Sequence, residues 1–348
     1  MHRFVSAGEL ASCLRSLRVV GDESIQIGGI QYDSRKVAPG DLFAALPGSD
    51  ADGHDYLAEA VLRGASALLV ERPLLPAPEN VVQIIVEDSR GSLADAAAAF
   101  FGHPSRQISV IGITGTDGKT TTSYLLSSIF RAAGVAVGLI STVAIRVSEG
   151  LTYGANRQTT PESVDVQRYL RQMVDQGSSW AIVEATSHGL IQHRLDRTRI
   201  AIGAVTNITH EHLEFHKTIE AYRRAKATLL ERVGEASGTV VTNADDEGAQ
   251  SIEMYAAGAS LIRYSAEGAD ADFRATQIRM GPLGSRFNVE SADGDFEINL
   301  PLLGEFNIEN ALCALAIASV AGVEPRAIAD GLAAAPAVPG RMARISEG

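Results

Sequence analysis

Ile108 to Gly134 read ISVIGITGTDGKTTTSYLLSSIFRAAG. The first six residues form a β-branched apolar run suited to a buried strand. A glycine-rich turn follows, Gly115-Thr116-Asp117-Gly118, and then Lys119-Thr120-Thr121-Thr122. Beyond it Leu125, Leu126, Ile129, Phe130 and Ala133 recur at helical spacing, and Gly134 stands where a helix would close. Strand, glycine turn, Lys-Thr and helix are the parts of a phosphate-binding loop, in which backbone N–H groups and a helix N-terminus face a polyphosphate. In that reading Lys119 reaches the β and γ phosphates and the Thr120 hydroxyl holds Mg²⁺. The strict G-x-x-x-x-G-K-[ST] pattern fails, because Ile113 occupies its first glycine position. The loop is therefore a variant, Thr-Gly-Thr-Asp-Gly-Lys-Thr.

The chain of 348 residues is long enough for two or three domains. Lys+Arg 30 against Asp+Glu 42 gives a net charge of −12, which argues against nucleic acid as a main partner. Cys13 and Cys313 provide neither a disulfide framework nor zinc-ribbon spacing. The start, MHRFVSAGEL, has no signal-peptide core, and the apolar tract Leu312–Val323 is too short to span a bilayer. The expectation is a cytoplasmic protein without membrane insertion.

Residues 1–103 read as a small α/β domain, with Ala67–Val70 and Val81–Val86 as strands and a helix after Asp88 or Ser89. Gly102-His103-Pro104 suggests a boundary. In a second domain over 104–342, residues 106 to about 235 alternate strand and helix, implying a mostly parallel sheet, and residues 260–303 suggest an antiparallel patch around Asp293-Gly294. Thr159-Thr160-Pro161-Glu162 reads as a helix start. The fold class expected is α/β: a small N-terminal domain, then a central P-loop mononucleotide-binding domain.

Ligands of open α/β sheets gather at the carboxyl ends of strands. Glu184 follows the strand Trp180–Val183 and is well placed to hold Mg²⁺ beside the phosphate loop. His210-x-His212 could pair on a transition metal or hydrogen-bond carboxylates; with Mg²⁺ expected nearby, His212 is the favoured site residue. Lys226 falls within the apolar stripe Ile219, Tyr222, Leu229, Leu230, Val233 of a helix over 218–233. Such a lysine either snorkels to the edge or is altered or paired within a metal and phosphate site.

Together TGTDGKTT (Thr114–Thr121), QTTP (Gln158–Pro161), EATSHGLIQHR (Glu184–Arg194), TNITHEHLEFH (Thr206–His216), Ala225-Lys226 and GEFNIEN (Gly304–Asn310) resemble the Mur ligases. These are ATP-dependent amide-forming enzymes of peptidoglycan precursor synthesis, and the similarity is greatest to the type that adds the third amino acid. The resemblance implies that Gly115–Thr121, with Lys119 and Thr120, serve ATP and Mg²⁺, and that Glu184 and His212 help hold metal. It implies that Lys226 is carbamylated, that Asn307 and Asn310 approach the adenine, and that Arg341 lies near the nucleotide. Thr159, Thr160, Thr186, Gln192 and Arg194 match positions holding the muramoyl-dipeptide, and Ser34 the uridine-side loop. The substrates implied are UDP-MurNAc-L-Ala-D-Glu and a diamino acid. Asp117, Thr186, Glu211 and Glu214 depart conservatively from the family pattern. The family continues into a further α/β domain bearing the amino-acid site, of which residues 343–348 would be the start. Two other readings stay open here: a nucleotide- and UDP-sugar-binding fragment without turnover, and a metal-dependent hydrolase built on His210-x-His212. The hydrolase leaves the phosphate loop unexplained.

Overall fold

The computed structural model describes residues 4–48, 51–147, 150–154, 158–209, 211, 213–292, 294–336 and 338. It divides into two compact units: residues 1–104 with 162–171 and 192–198, and residues 105–161 with 172–191 and 199–348.

In the first unit, five strands pair in the order Ser16–Val20, Val82–Val86, Ala67–Val70, Asp41–Ala44, Gly29–Gln31. All pairs are parallel except the one made by Ser16–Val20. Helices Ala7–Ser12 and Ser89–Phe100 pack with this sheet, and local side chains fix where each begins. Ser6 and Glu9 form a reciprocal capping box, and Asp88 accepts from the Arg90 N–H.

In the second unit the strands are β1 (Ser109–Thr114), β2 (Val137–Ile140), β3 (Ala144–Arg146), β4 (Leu151–Tyr153), β5 (Trp180–Glu184), β6 (Ile202–Val205), β7 (Thr239–Asn243), β8 (Ser260–Ser265), β9 (Phe273–Gly281), β10 (Gly284–Ser291) and β11 (Phe296–Leu300). The sheet order is β4-β3-β2-β5-β1-β6-β7-β8-β9-β10-β11, with β1 in the interior. From β2 through β9 neighbouring strands run parallel, and β3–β4 and β9–β11 add antiparallel ribbons at the two edges. β1 is buried on both faces, which is why Val110 to Ile113 show no polar alternation.

Helix α1 (Lys119–Ala132) buries Leu125, Leu126, Ile129 and Phe130, and the Phe130 ring stacks on Trp180 with centroids 5.7 Å apart. Helix α2 (Ile219–Glu235) starts at Thr218, whose hydroxyl accepts from the Ala221 N–H. Helix α3 (Glu305–Val320) is buried continuously from Asn310 to Ala318, so the apolar tract noted in the sequence is a core helix. Helix α4 (Pro325–Ala333) lies against α1, where Gly331 is required: a Cβ there would sit 2.4 Å from the Ile129 Cα. Among the described residues no helix is long and apolar enough to cross a membrane.

One local expectation changes. The helix after Gln158 begins at Ser163, not at Thr159. The Thr160 hydroxyl donates instead to the Glu184 carbonyl at 2.7 Å, so a tertiary acceptor has displaced the cap.

Candidate functional site

The register of the parallel strands assembles the site. Val205 of β6 pairs with Thr114, and Glu184 of β5 pairs with Ile113, so both neighbours of β1 end beside Gly115. The loop from Gly115 to Gly118 is then pinned from the β6 side. Thr206 Oγ1 donates to the Asp117 carbonyl at 2.6 Å, and Asn207 Oδ1 accepts from the Asp117 N–H at 2.9 Å. The Thr116 N–H donates to the Asn207 carbonyl at 2.8 Å, while the Thr116 hydroxyl shares a 3.2 Å hydrogen bond with Tyr222. Gly115 and Gly118 have φ of +151° and +84°. A Cβ would stand 1.8 Å from Thr206 Oγ1 at the first and 2.2 Å from Asn310 Oδ1 at the second, so both close approach and backbone conformation demand glycine.

Two lysines converge on this loop. Lys119 Nζ donates to the carbonyls of Gly115 (2.8 Å) and Thr116 (2.7 Å). Lys226 Nζ, on α2, donates to the same Gly115 carbonyl at 2.6 Å. Lys226 is 1% exposed, with its Nζ 4.5 Å from the Tyr222 ring centroid. The amine does not reach solvent. Burial, and then the neighbouring Lys119 charge, push its pKa well below the ordinary lysine value. Burial also raises the Tyr222 hydroxyl to about 12.

On the β5 side, Glu184 is fully buried. Its Oε2 accepts from Thr120 Oγ1 at 3.0 Å and Thr142 Oγ1 at 2.9 Å, and its Oε1 from the Thr142 N–H at 3.3 Å. Burial raises its pKa, with the hydrogen bonds from Thr142 and the Lys119 charge opposing that shift. A desolvated carboxylate beside a threonine hydroxyl is an oxygen donor set suited to a hard cation such as Mg²⁺, which takes one or two carboxylates and completes its shell with water and phosphate. Among the described residues no cluster of three or more His, Cys, Asp or Glu forms a metal site. The network continues outward. The hydroxyls of Thr142 and Thr159 lie 3.0 Å apart, as do those of Thr160 and Thr186.

Thr142 was missed by the sequence reading. It follows β2 directly, so its position past the carboxyl end of a strand beside β5 is the signal that could have found it.

A cavity of about 730 Å³ opens over the loop, within the range of small-molecule sites. Gly118, Lys119, Thr120, Thr142, Thr159 and Thr186 line one side, and Leu303, Phe306, Asn307 and Asn310 the other. Asn310 Oδ1 accepts from the Thr122 hydroxyl at 3.3 Å, and Asn307 Nδ2 donates to the Leu303 carbonyl at 2.7 Å. Ser34, Gln192 and Arg194 belong to the other unit. There Ser34 Oγ donates to Glu59 at 3.1 Å, and Arg194 bonds Gln192 at 2.5 Å and Glu162 at 3.1 Å. His210, His212 and Arg341 lie outside the described residues, as does Asp293 of the expected turn. The neighbouring His216 is buried and shares a 2.9 Å hydrogen bond with Ser187.

Residues 113–318 match the model of the Mur ligase middle domain, and residues 26–101 match that of the Mur ligase family, catalytic domain. The chain belongs to the Mur ligase family. A UDP-N-acetylmuramoyl-L-alanyl-D-glutamate–2,6-diaminopimelate ligase of Streptomyces coelicolor is 40% identical, over 99% of this chain and 68% of its own length. A UDP-N-acetylmuramyl-tripeptide synthetase of Roseiflexus is 41% identical, over 93% of this chain and 66% of its own length. A solved UDP-N-acetylmuramoyl-L-alanyl-D-glutamate–2,6-diaminopimelate ligase superposes with a TM-score of 0.84 at 28% identity, covering 99% of this chain and 70% of that one. This chain thus spans about two thirds of the length of the curated relatives it matches. The resemblance read from the motifs and the α/β class are both borne out.

Proposed function

We propose that this Mur ligase chain serves an ATP-dependent ligase that joins a diamino acid to UDP-MurNAc-L-Ala-D-Glu. The observation that supports it is the convergence of Glu184, bonded to Thr120 and Thr142, and of the buried Lys226 amine, bonded to the Gly115 carbonyl, on a glycine-rich loop whose Thr116–Thr121 lines one cavity. The D-glutamate carboxylate attacks the γ-phosphorus, the bond to the ADP oxygen breaks, and an acyl phosphate forms. The amine then attacks the acyl carbon, and phosphate and a proton leave. Thr120 and Glu184, with His212 and Lys226, would hold Mg²⁺, which when bound neutralises phosphate charge. Lys119 and the α1 N-terminus stabilise charge developing on the transferred phosphoryl oxygens. Asn307, Asn310 and Arg341 are assigned to the nucleotide. Thr159, Thr160, Thr186, Gln192 and Arg194 are assigned to the muramoyl-dipeptide, and Ser34 to its uridine side. ATP, UDP-MurNAc-L-Ala-D-Glu and the diamino acid are small molecules of the cytoplasm, and no nucleic acid enters the reaction.

Lys119→Ala should weaken Mg–ATP binding by roughly 10- to 100-fold, the worth of a hydrogen bond to a charged group. Calorimetry in Mg²⁺ checks it, and an unchanged affinity with an intact fold removes Lys119 from the phosphate site.

Lys226 should carry a carbamate. A neutral amine is the form that attacks CO₂, making an N–C bond and releasing a proton, and burial already favours the neutral form. Labelled bicarbonate should give a protein-bound carbamate resonance by carbon-13 NMR that Lys226→Met abolishes. No such resonance at saturating bicarbonate and Mg–ATP would leave the amine unmodified.

A further inference from the structure

A second cavity, about 550 Å³, opens on the flank of α1 and shares no lining residue with the nucleotide cavity. Its polar wall is Tyr124, Ser127, Ser128 and Arg131 of α1, with Arg146 of β3 and Tyr153 of β4. Arg146 is only 8% exposed. Its Nη1 donates to Ser127 Oγ, and its buried Nε has no hydrogen-bond partner. Another guanidinium, Arg131, lines the same cavity and its charge acts on Arg146, as do Tyr124 and Tyr153. Neither arginine has a carboxylate partner among the described residues. Tyr124 is 5% exposed, and its hydroxyl, near Ser141, makes no hydrogen bond of standard geometry. A buried guanidinium whose Nε is unpaired and a buried phenol around one cavity are costly, because among the described residues those desolvated donors are left without an acceptor.

We propose that this cavity is a binding site for a small phosphate monoester carrying an apolar body. The charge selects the head: a phosphate monoester holds close to two negative charges above its second pKa of about 6, matching two guanidinium groups, whereas a carboxylate would neutralise one. The two tyrosine hydroxyls and that of Ser127 supply further donors, which suits a tetrahedral oxyanion; Ser128 is committed to the Gly331 carbonyl. The volume selects the body. Inorganic phosphate would leave most of the cavity unfilled, and Leu151, Ala334 and Pro336 with the two tyrosine rings form an apolar remainder.

The test is calorimetry at low ionic strength and pH 8 with phenyl phosphate, inorganic phosphate and benzoate. The proteins are the full chain and its Arg146→Gln, Arg131→Gln and Lys119→Ala variants. The expected result is saturable phenyl phosphate binding, weakened at least tenfold by Arg146→Gln and severalfold by the exposed Arg131→Gln. Lys119→Ala, which strips the phosphate loop of its cation, should leave that binding within twofold. Both other probes should bind at least tenfold more weakly. Binding lost in Lys119→Ala and kept in Arg146→Gln would place the anion in the loop and overturn the proposal, as would no binding at all. Benzoate binding equally well overturns the dianion, and inorganic phosphate binding equally well overturns the apolar body. If Arg146 serves the anion and not the fold, Arg146→Gln without ligand should unfold no earlier than the parent. An earlier midpoint together with unchanged phenyl phosphate binding by Arg131→Gln makes Arg146 a structural residue only.

Discussion

Glu184→Gln should make the ligand-free second unit more resistant to heat and, in the same experiment, remove its stabilisation by Mg–ATP. Glu184 is fully buried, and among the described residues its carboxylate meets two hydroxyls and one N–H but no hydrogen-bonded cation. Its pKa is raised in the fold, so the folded state holds the proton more tightly than the unfolded chain does. Above the ordinary glutamate value the ionised carboxylate therefore costs stability, and the cost grows as pH rises through the raised value. Glutamine keeps the shape and most hydrogen bonds without the charge, so its advantage should be present at pH 8 and vanish near pH 4. With saturating Mg–ATP the order reverses. A ligand at 100 times its dissociation constant adds about 2.7 kcal/mol, and only the parent retains the carboxylate that would hold the metal. At ~2–4 °C per kcal/mol the parent should shift by roughly 5–11 °C and the variant by a small fraction of that. Trp180, the chain's one tryptophan, lies on β5 of this unit, and its fluorescence reports the transition without the first unit intruding. An equal Mg–ATP shift in both proteins would remove Glu184 from the metal set. A ligand-free variant less stable than the parent at pH 8 would show that the carboxylate's hydrogen bonds outweigh its desolvation.

What the sequence made legible was local. β1, the glycine turn and α1 follow one another without a long-range partner, so periodicity and glycine placement suffice to recognise them. Glu184 was legible because a carboxylate ending an apolar strand has few structural uses. The stripe on α2 placed Lys226 on the inward face, but its bond to the Gly115 carbonyl depends on how α2 crosses β1, which spacing along α2 does not encode. The Ser163 helix start was hidden for a similar reason: the Thr160 hydroxyl has a stronger claim from Glu184, a residue 24 positions away. Thr142 lies in a turn with no motif, and only the adjacency of β2 and β5 gives it a carboxylate to bind. The Arg131 and Arg146 pair is further still from legibility. One residue sits on a helix and the other on a strand, and nothing in either segment announces that the other cation is near.

Residues 1–348 taken by themselves should bind Mg–ATP and yet form no measurable amide. The phosphate loop, the Glu184 set and Lys226 all lie within them, so the groups proposed to hold Mg–ATP are present. The relatives align over 66% and 68% of their own length, so about a third of each lies outside the match. The resemblance assigns to that third the holding of the incoming diamino acid. Amide formation needs the amine within attack distance of the acyl carbon, and such positioning accounts for ~7–11 kcal/mol of barrier, or about five to eight powers of ten in rate. A freely diffusing diamino acid at millimolar concentration recovers little of that, while water competes for the same acyl phosphate. Mass spectrometry of the UDP-linked product, with ATP, Mg²⁺, UDP-MurNAc-L-Ala-D-Glu and diaminopimelate supplied, should therefore show substrate and slow ADP release without tripeptide. Fusing the remaining third of the Streptomyces coelicolor relative after Gly348 should restore ligation. Tripeptide formed at an ordinary enzymatic rate by residues 1–348 would move the amino-acid site into the two units described above, and the assignment of the third segment would be lost.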